Sequence, residues 1–298
     1  MPARRTLRTM STIHTPADSV DLNPQDYLDR IGFSSGAGFD SLEPSLPLLQ
    51  ALHEAHMLAA PFENLSIHYG QPIVLREEAL YDKIVRRHRG GFCYELNGLF
   101  AWLLRRLGFE VTLLSAEVAQ AGGGYSPEFD HLTLLVHHVD GADWVADVGF
   151  GDSYRRPLRL RANEEQDGAD GRLYRLQEDR KGDRQDDVRD EQRQRTYWIV
   201  QQRGDTGDQD DTQWEPQYRF TFQPHALTDF TERCRYHQTS PDSHFTQQRI
   251  CSRALPLGRM SLSDMRLITT IQGNREEHEL RSDEEYREIL AQSFGIVL

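Results

Sequence analysis

RGGFCYELNG, residues 89–98, is the stretch on which the fold turns. Two glycines lead straight into a cysteine. From there Leu96, Leu99, Phe100, Leu103 and Leu107 recur at helical spacing until Gly108 ends the run. Cys93 therefore falls in the first turn of a predicted helix, where unpaired N–H groups and the helix dipole favour a thiolate. Gly90 and Gly91 permit tight backbone geometry and close approach of a ligand. Cys93 shares a helix face with Leu96, Asn97 and Phe100, so it points inward. A buried cysteine is commonly a small hydrophobe. An inward thiol beside free N–H groups can instead supply both a nucleophile and an oxyanion site.

Upstream of this junction the chain reads as helical. Asn23-Pro24 caps and opens NPQDYLDRIGF, residues 45–60 form a second helix that Pro61 stops, and residues 76–88 form a third, closed by Gly90-Gly91. Downstream the period shortens. Residues 111–118, 131–138, 143–150, 196–202 and 216–223 read as strands, and Gly141 marks the turn of an antiparallel pair. Two segments dense in mixed charge, 163–195 and 203–213, interrupt them and read as solvated loops or hairpin ends. In the last part, 227–238 reads as helix, 245–255 and 265–272 as strands, and 282–294 as a closing helix with a Ser282/Glu285 capping box.

These elements divide the chain into an expected ragged tail (1–20, with Met10 a candidate start), a helical domain (21–109), a β domain (110–223) and a mixed α/β segment (224–298). With 298 residues and 38% hydrophobic content, two or three small domains can each bury a core. A net charge of −13 disfavours nucleic acid and anionic membrane surfaces, which need clustered Lys and Arg. No apolar run reaches the length of a membrane span, and the basic N-terminus lacks the apolar stretch of a secretory signal. The three widely spaced cysteines, Cys93, Cys234 and Cys251, suit neither a disulfide framework nor a zinc site. They suit a reducing cytoplasm with a free thiol. Cys234 and Cys251 lack a glycine turn or helix start and read as packing residues. No histidine spacing of a metal site occurs.

A thiolate nucleophile needs a base and a group to orient that base. His131 heads one strand and Asp147 lies in the next. Pairing through the turn near Gly141 makes the two near-opposite, so a carboxylate there could fix the imidazole tautomer and stabilise the imidazolium. A lone strand histidine is usually structural; a His–Asp pair across a hairpin is a stronger signal. Lys83, Arg86, Arg87 and Arg89 read as charges on a solvated helix face.

RGGFCYELN, with PFENL (61–65) and DKIVRRHRGG (82–91) before it and HLTLLV, DVGFG and SPDSHFTQQRICSRA (240–254) after it, resembles the arylamine N-acetyltransferases. The likeness runs from about Asp26 to Ser293. It implies an α+β, papain/transglutaminase-like cysteine-enzyme fold, with an N-terminal helical domain, a central β-barrel and a C-terminal α/β lid. It implies a Cys93–His131–Asp147 triad and ping-pong transfer from acetyl-CoA, a cosubstrate rather than a bound cofactor, to an arylamine, hydrazine or arylhydroxylamine. The acyl-enzyme must be shielded from water. Phe62, Tyr94 and Phe150 are candidates for that and for stacking the acceptor, Phe150 because it follows the implied triad aspartate. The same likeness puts AGGGYSPEF (121–129) beside the CoA cleft, so Gly123, Gly124 and Ser126 are cosubstrate candidates, joined from the lid by Tyr236 and His237. The insertion at 163–195 is longer than the resemblance leads one to expect. A thiol hydrolase on the same triad, and a non-catalytic binding protein on an inherited fold, are the alternatives.

Overall fold

The computed structural model describes residues 22–34, 36, 39–180, 196–204 and 213–298. The expected N-terminal tail, Met10, and residues 181–195 and 205–212 of the charged segments lie outside them.

The helical part opens with α1 (Pro24–Arg30), whose Asn23 cap accepts a hydrogen bond from the Gln25 N–H. Helix α2 (Leu46–Ala59) buries Leu48, Leu49, Leu52, His53, His56 and Met57. A two-residue strand, β1 (Phe62–Glu63), and the short α3 (Leu65–His68) follow. The expected single helix over 76–88 is instead α4 (Glu77–Tyr81) widening into a π-helical turn, Asp82–Arg86. Helix α5 (Cys93–Arg106) is buried at every position from Cys93 to Leu104. A helix enclosed on all sides is a core element rather than an amphipathic surface helix.

Eight antiparallel strands form a barrel-like sheet: β2 (Glu110–Val118), β3 (His131–Val139), β4 (Ala142–Ala146), β5 (Leu158–Arg159), β6 (Gln166–Asp167), β7 (Arg172–Arg180), β8 (Thr196–Gly204) and β9 (Glu215–His225). Their order is β5-β4-β3-β2-β9-β8-β7-β6, and a bridge from Ala162 to Leu176 brings the segment after β5 onto β7. Of the two readings of 163–195, loop or hairpin end, strands β6 and β7 and the β7–β8 pairing rule out a plain loop over its described part. Tyr174 and Leu176 point into a barrel core with Leu114, Val145, Val200 and Phe220. Only two inward positions in RLYRLQEDR are large and apolar, so its charged neighbours masked the alternation.

After the barrel come α6 (Thr231–Thr239) and α7 (His244–Gln247). Strands β10 (Ile250–Leu255), β11 (Gly258–Ser263), β12 (Arg266–Ile271) and β13 (Asn274–Glu279) then form a sheet in which β1 pairs with β10. The expected strand over 245–255 thus begins only at Ile250, and β11 and β13 are additional. Strand β13 is exposed throughout and reads NREEHE, a charged edge that discourages further pairing. Helix α8 (Asp283–Phe294) packs Tyr286, Leu290 and Phe294 against Leu65, Cys251 and Leu262. Ser282 caps it by accepting from the Glu285 N–H, but the Glu285 carboxylate accepts from the Arg281 N–H rather than from that of Ser282. Among the described residues no helix is long and apolar enough to cross a membrane.

Candidate active site

Cys93 is placed by the stitching of two sequence segments. The Glu63 N–H donates to the Gly91 carbonyl at 2.9 Å, and the Gly91 N–H donates to that of Pro61 at 3.3 Å. A Cβ on Gly90 would sit 1.9 Å from the Pro61 oxygen, so only glycine fits. Beneath this junction lies a buried cluster of four charges. Lys83 Nζ donates to both Glu95 oxygens (2.8 and 3.0 Å) and stands 3.6 Å from Glu63; Arg89 donates to Glu63 Oε1 through Nε (3.0 Å) and a terminal nitrogen (2.8 Å). The expected solvated face is therefore half wrong. Arg86 and Arg87 are exposed, but the π-helical turn carries Lys83 inward and Arg89 is buried with it.

Glu95 in turn accepts from the Phe92 N–H at 3.1 Å, and Glu63 from the Leu65 N–H at 2.7 Å, so both carboxylates also cap backbone. Burial opposes ionisation of Glu63, but Lys83 and Arg89 outweigh it and hold its pKa below the ordinary value. Lys83→Met strands a buried Glu95 and is expected to cost about 3–5 kcal/mol, read by urea unfolding. The double variant K83M/E95Q should be more stable than K83M. A loss below about 1 kcal/mol in K83M would show that the cluster does not hold the helix start.

The His–Asp pair is direct: His131 Nε2 lies 2.6 Å from Asp147 Oδ2, both groups buried. The register is offset from the sequence expectation. Leu134 pairs with Ala146 and Leu135 with Val145, so Asp147, just past the end of β4, is level with Thr133 and diagonal to His131 on the same face. Asp147 Oδ1 accepts from Asn97 Nδ2 (2.8 Å) and the Gly149 N–H (3.0 Å). Burial pushes the Asp147 carboxyl up, but the His131 charge and the hydrogen bonds from His131, Asn97 and Gly149 prevail and leave its pKa lowered.

Asn97, one turn after Cys93, also donates to the Leu132 carbonyl at 2.6 Å and accepts from the Val148 N–H at 2.8 Å, which ties α5 to both strands. The backbone of Asp147 donates to His53 Nε2 (3.1 Å), so His53 Nδ1 carries the proton donated to the Arg155 carbonyl (2.8 Å). Burial lowers the His53 pKa to about 4 and keeps that ring neutral. Asn97 was visible from its helix spacing; His53 carried no local sign.

The helix start favours a thiolate, but the surroundings of Cys93 work against it. Burial pushes the Cys93 thiol well above its ordinary pKa, a backbone hydrogen bond from Leu132 pulls the other way, and Asp147 and Asp130 add to the rise. Ionisation of this thiol therefore needs a proton acceptor close by.

Cys93 and His131 line a common cavity of about 550 Å³, with Phe62, Gly149 and Phe150 beside them. The Phe150 ring meets His131 edge-on at 5.1 Å. Gly149 lies so close that an added Cβ would be 2.9 Å from Cys93 Cα. Ser126, Tyr236 and His237 also line the cavity. Tyr94 does not: its hydroxyl donates to the Phe129 carbonyl at 2.7 Å, and its ring packs on Phe92 and Phe230. Gly123 and Gly124 do not line it either. They form an exposed turn at φ 87° and 81°, closed by backbone hydrogen bonds to Gln120. Cys234 and Cys251 are buried free thiols.

The α+β architecture, with a buried cysteine at a helix start and a barrel-like sheet that carries a paired histidine and aspartate, is the papain/transglutaminase-like fold. Residues 45–298 match the N-acetyltransferase family model. The chain is 35% identical over 285 residues to the arylamine N-acetyltransferase pineal gland isozyme NAT-3 of Gallus gallus, covering 92% of this chain and 94% of that one. It is 34% identical over 280 residues to arylamine N-acetyltransferase 1 of Homo sapiens, covering 91% and 93%. Among solved structures, the arylamine N-acetyltransferase of Salmonella typhimurium superimposes with a TM-score of 0.78 at 31% identity, over 92% of this chain and 90% of that one. The Mycobacterium marinum enzyme, solved in complex with CoA, superimposes with a TM-score of 0.76 at 30% identity, over 92% and 93%. The chain belongs to the arylamine N-acetyltransferase family.

Proposed function

We propose that this protein moves an acetyl group from acetyl-CoA to an arylamine, hydrazine or arylhydroxylamine by a ping-pong mechanism through acetyl-Cys93. The observation that carries the reading is the 2.6 Å His131–Asp147 bond on the cavity that Cys93 also lines. With Nε2–H held by Asp147, Nδ1 is the basic nitrogen. It takes the Cys93 proton, and Asp147 offsets the resulting imidazolium. The thiolate attacks the thioester carbonyl, first-turn N–H groups of α5 stabilise the oxyanion, and CoA leaves with a proton from His131. One thioester replaces another, so the step is nearly balanced in energy.

The acceptor amine then attacks acetyl-Cys93, His131 takes the amine proton, and the Cys93 sulfur departs. Arylamines are weakly basic and stay neutral near pH 7, which makes them competent nucleophiles, whereas an alkylammonium must first lose a proton. Phe62 and Phe150 form the apolar wall against which an aromatic acceptor stacks. Ser126, Tyr236 and His237 line the same cavity and are the contacts proposed for the cosubstrate. Such chemistry suits the handling of xenobiotic aromatic amines, and three free thiols suit the reducing cytoplasm.

Initial rates with acetyl-CoA and 4-aminosalicylate test the mechanism. Parallel double-reciprocal lines are expected. Intersecting lines would reject a covalent intermediate, and CoA release without an N-acetyl product would identify a hydrolase.

A further inference from the structure

A second His–Asp contact on the same cavity lies outside the triad. Asp130 immediately precedes His131, and its carboxylate lies where three wall segments meet. Asp130 Oδ1 accepts from Arg233 Nε at 2.7 Å and stands 3.0 Å from His237 Nε2, both on α6. Arg233 is braced over the Tyr236 ring at 4.2 Å. His237 Nδ1 reaches Ser243 Oγ at 3.1 Å, and Ser243 caps α7, which carries Phe245 into the cavity wall. On the opposite side, Tyr94 OH donates to the carbonyls of Phe129 and Asp130 at 2.7 and 3.3 Å, which fastens the same segment to the helix of Cys93.

The cluster is largely enclosed, with side-chain exposures of 15% for Asp130, 21% for Arg233 and 7% for His237. Burial pushes the Asp130 carboxyl up, but hydrogen bonds from His237 and Arg233 bring it down to about 2, so it is ionised at working pH. His237 thus stands between Asp130 on its Nε2 side and Ser243 on its Nδ1 side.

We infer that Asp130, Arg233 and His237 form a clamp that holds α6 and the α7 wall against the segment entering β3, and that this clamp decides whether acetyl-Cys93 is discharged by amine or by water. The inference rests on the acyl-transfer reading above. In hydrolysis the water oxygen attacks the acetyl carbon, the C–S bond breaks, acetic acid leaves with one of the water protons, and the other goes to the Cys93 sulfur. None of these steps needs a group from the clamp. They need only a water molecule at the thioester, and the clamp's wall excludes it. Asp130 and Arg233 are thus positioning residues, acting through the wall rather than on the reacting atoms.

The test uses Asp130→Asn and Arg233→Met in the full chain. Acetyl-enzyme is made with acetyl-CoA, freed of donor, and followed by intact mass in buffer and with 4-aminosalicylate. Both variants are expected to shorten its lifetime in buffer and to lower the transfer-to-hydrolysis ratio, each by about tenfold. Two readouts do not depend on acyl transfer: hydrogen exchange of amides 231–239, and alkylation of Cys93 by iodoacetamide. Both should speed up in both variants. The variants also separate a clamp from a field effect, because D130N removes a negative charge near Cys93 and R233M a positive one. A field effect would move alkylation in opposite directions, whereas loss of the clamp moves it the same way.

Unchanged exchange in 231–239, or faster exchange with an unchanged acetyl-enzyme lifetime, would overturn the inference. Opposite alkylation changes would overturn it as well. If the unmutated protein accepts no acetyl group, the transferase reading falls instead, and exchange and alkylation still decide whether the clamp exists.

Discussion

Asp147→Asn should lower kcat by about 10³–10⁴-fold with little change in KM. The reason is local hydrogen bonding. Asp147 Oδ1 receives two donors, Asn97 Nδ2 and the Gly149 N–H, while Oδ2 faces His131. In the variant the amide oxygen stays with those two donors, so the NH₂ group turns toward His131 Nε2. That nitrogen must then accept, and the ring proton moves to Nδ1, the position needed to deprotonate Cys93. The imidazolium also loses its compensating charge, and the Cys93 thiol, already raised by burial, loses its internal base. Alkylation of Cys93 by iodoacetamide at neutral pH should slow alongside turnover, while the urea midpoint moves little. A variant within about tenfold of the unmutated rate would mean that Asp147 only supports the hairpin.

Cys93→Ala carries the larger effect. Transfer is expected to fall by about 10⁴-fold or more, because neither His131 nor the backbone donors can carry an acyl group themselves. The fold should persist at a cost of about 1 kcal/mol, since alanine keeps the backbone and leaves a space no larger than a sulfur atom. Steady-state rates and thermal unfolding of the same preparation check both halves. A folded C93A protein that still acetylates arylamines would remove the covalent intermediate from the mechanism.

What could be read from the sequence divides by the range of the interactions. The start of α5 was legible because its signals are local: two glycines, a cysteine and an apolar period of 3.6. Strands β2, β3, β8 and β9 were legible for the same reason. Strand β7 was not, since Tyr174 and Leu176 stand between arginines and acids and are drawn inward only by the rest of the barrel. Residues 245–247 read as the head of a strand, whereas Ser243 caps them into a turn of helix. Pairing of His131 with Asp147 followed from hairpin symmetry, but the register, and with it the diagonal geometry, depends on where the Asp140-Gly141 turn closes.

The inward turn of Lys83 needed knowledge of Glu63 and Glu95, which lie 20 and 12 positions away. Short-range patterns register such charges as solvated, because burial is costly unless partners arrive from elsewhere. His53 and Asp130 were missed for the same reason: their partners lie on other elements. Gly123 and Gly124 were read from composition, and the backbone forms a positive-φ turn there between Gln120 and Ser126, which line the cavity.

The most direct measurement of the central claim is the intact mass of the protein after mixing with acetyl-CoA alone, followed by peptide mapping. One acetyl group is expected, on the peptide containing Cys93, and 4-aminosalicylate or a hydrazine should remove it with formation of the N-acetyl product. An acetyl group found elsewhere, or a Cys93 adduct that an acceptor cannot discharge, would contradict the claim that this thiol carries the acyl group between the two substrates.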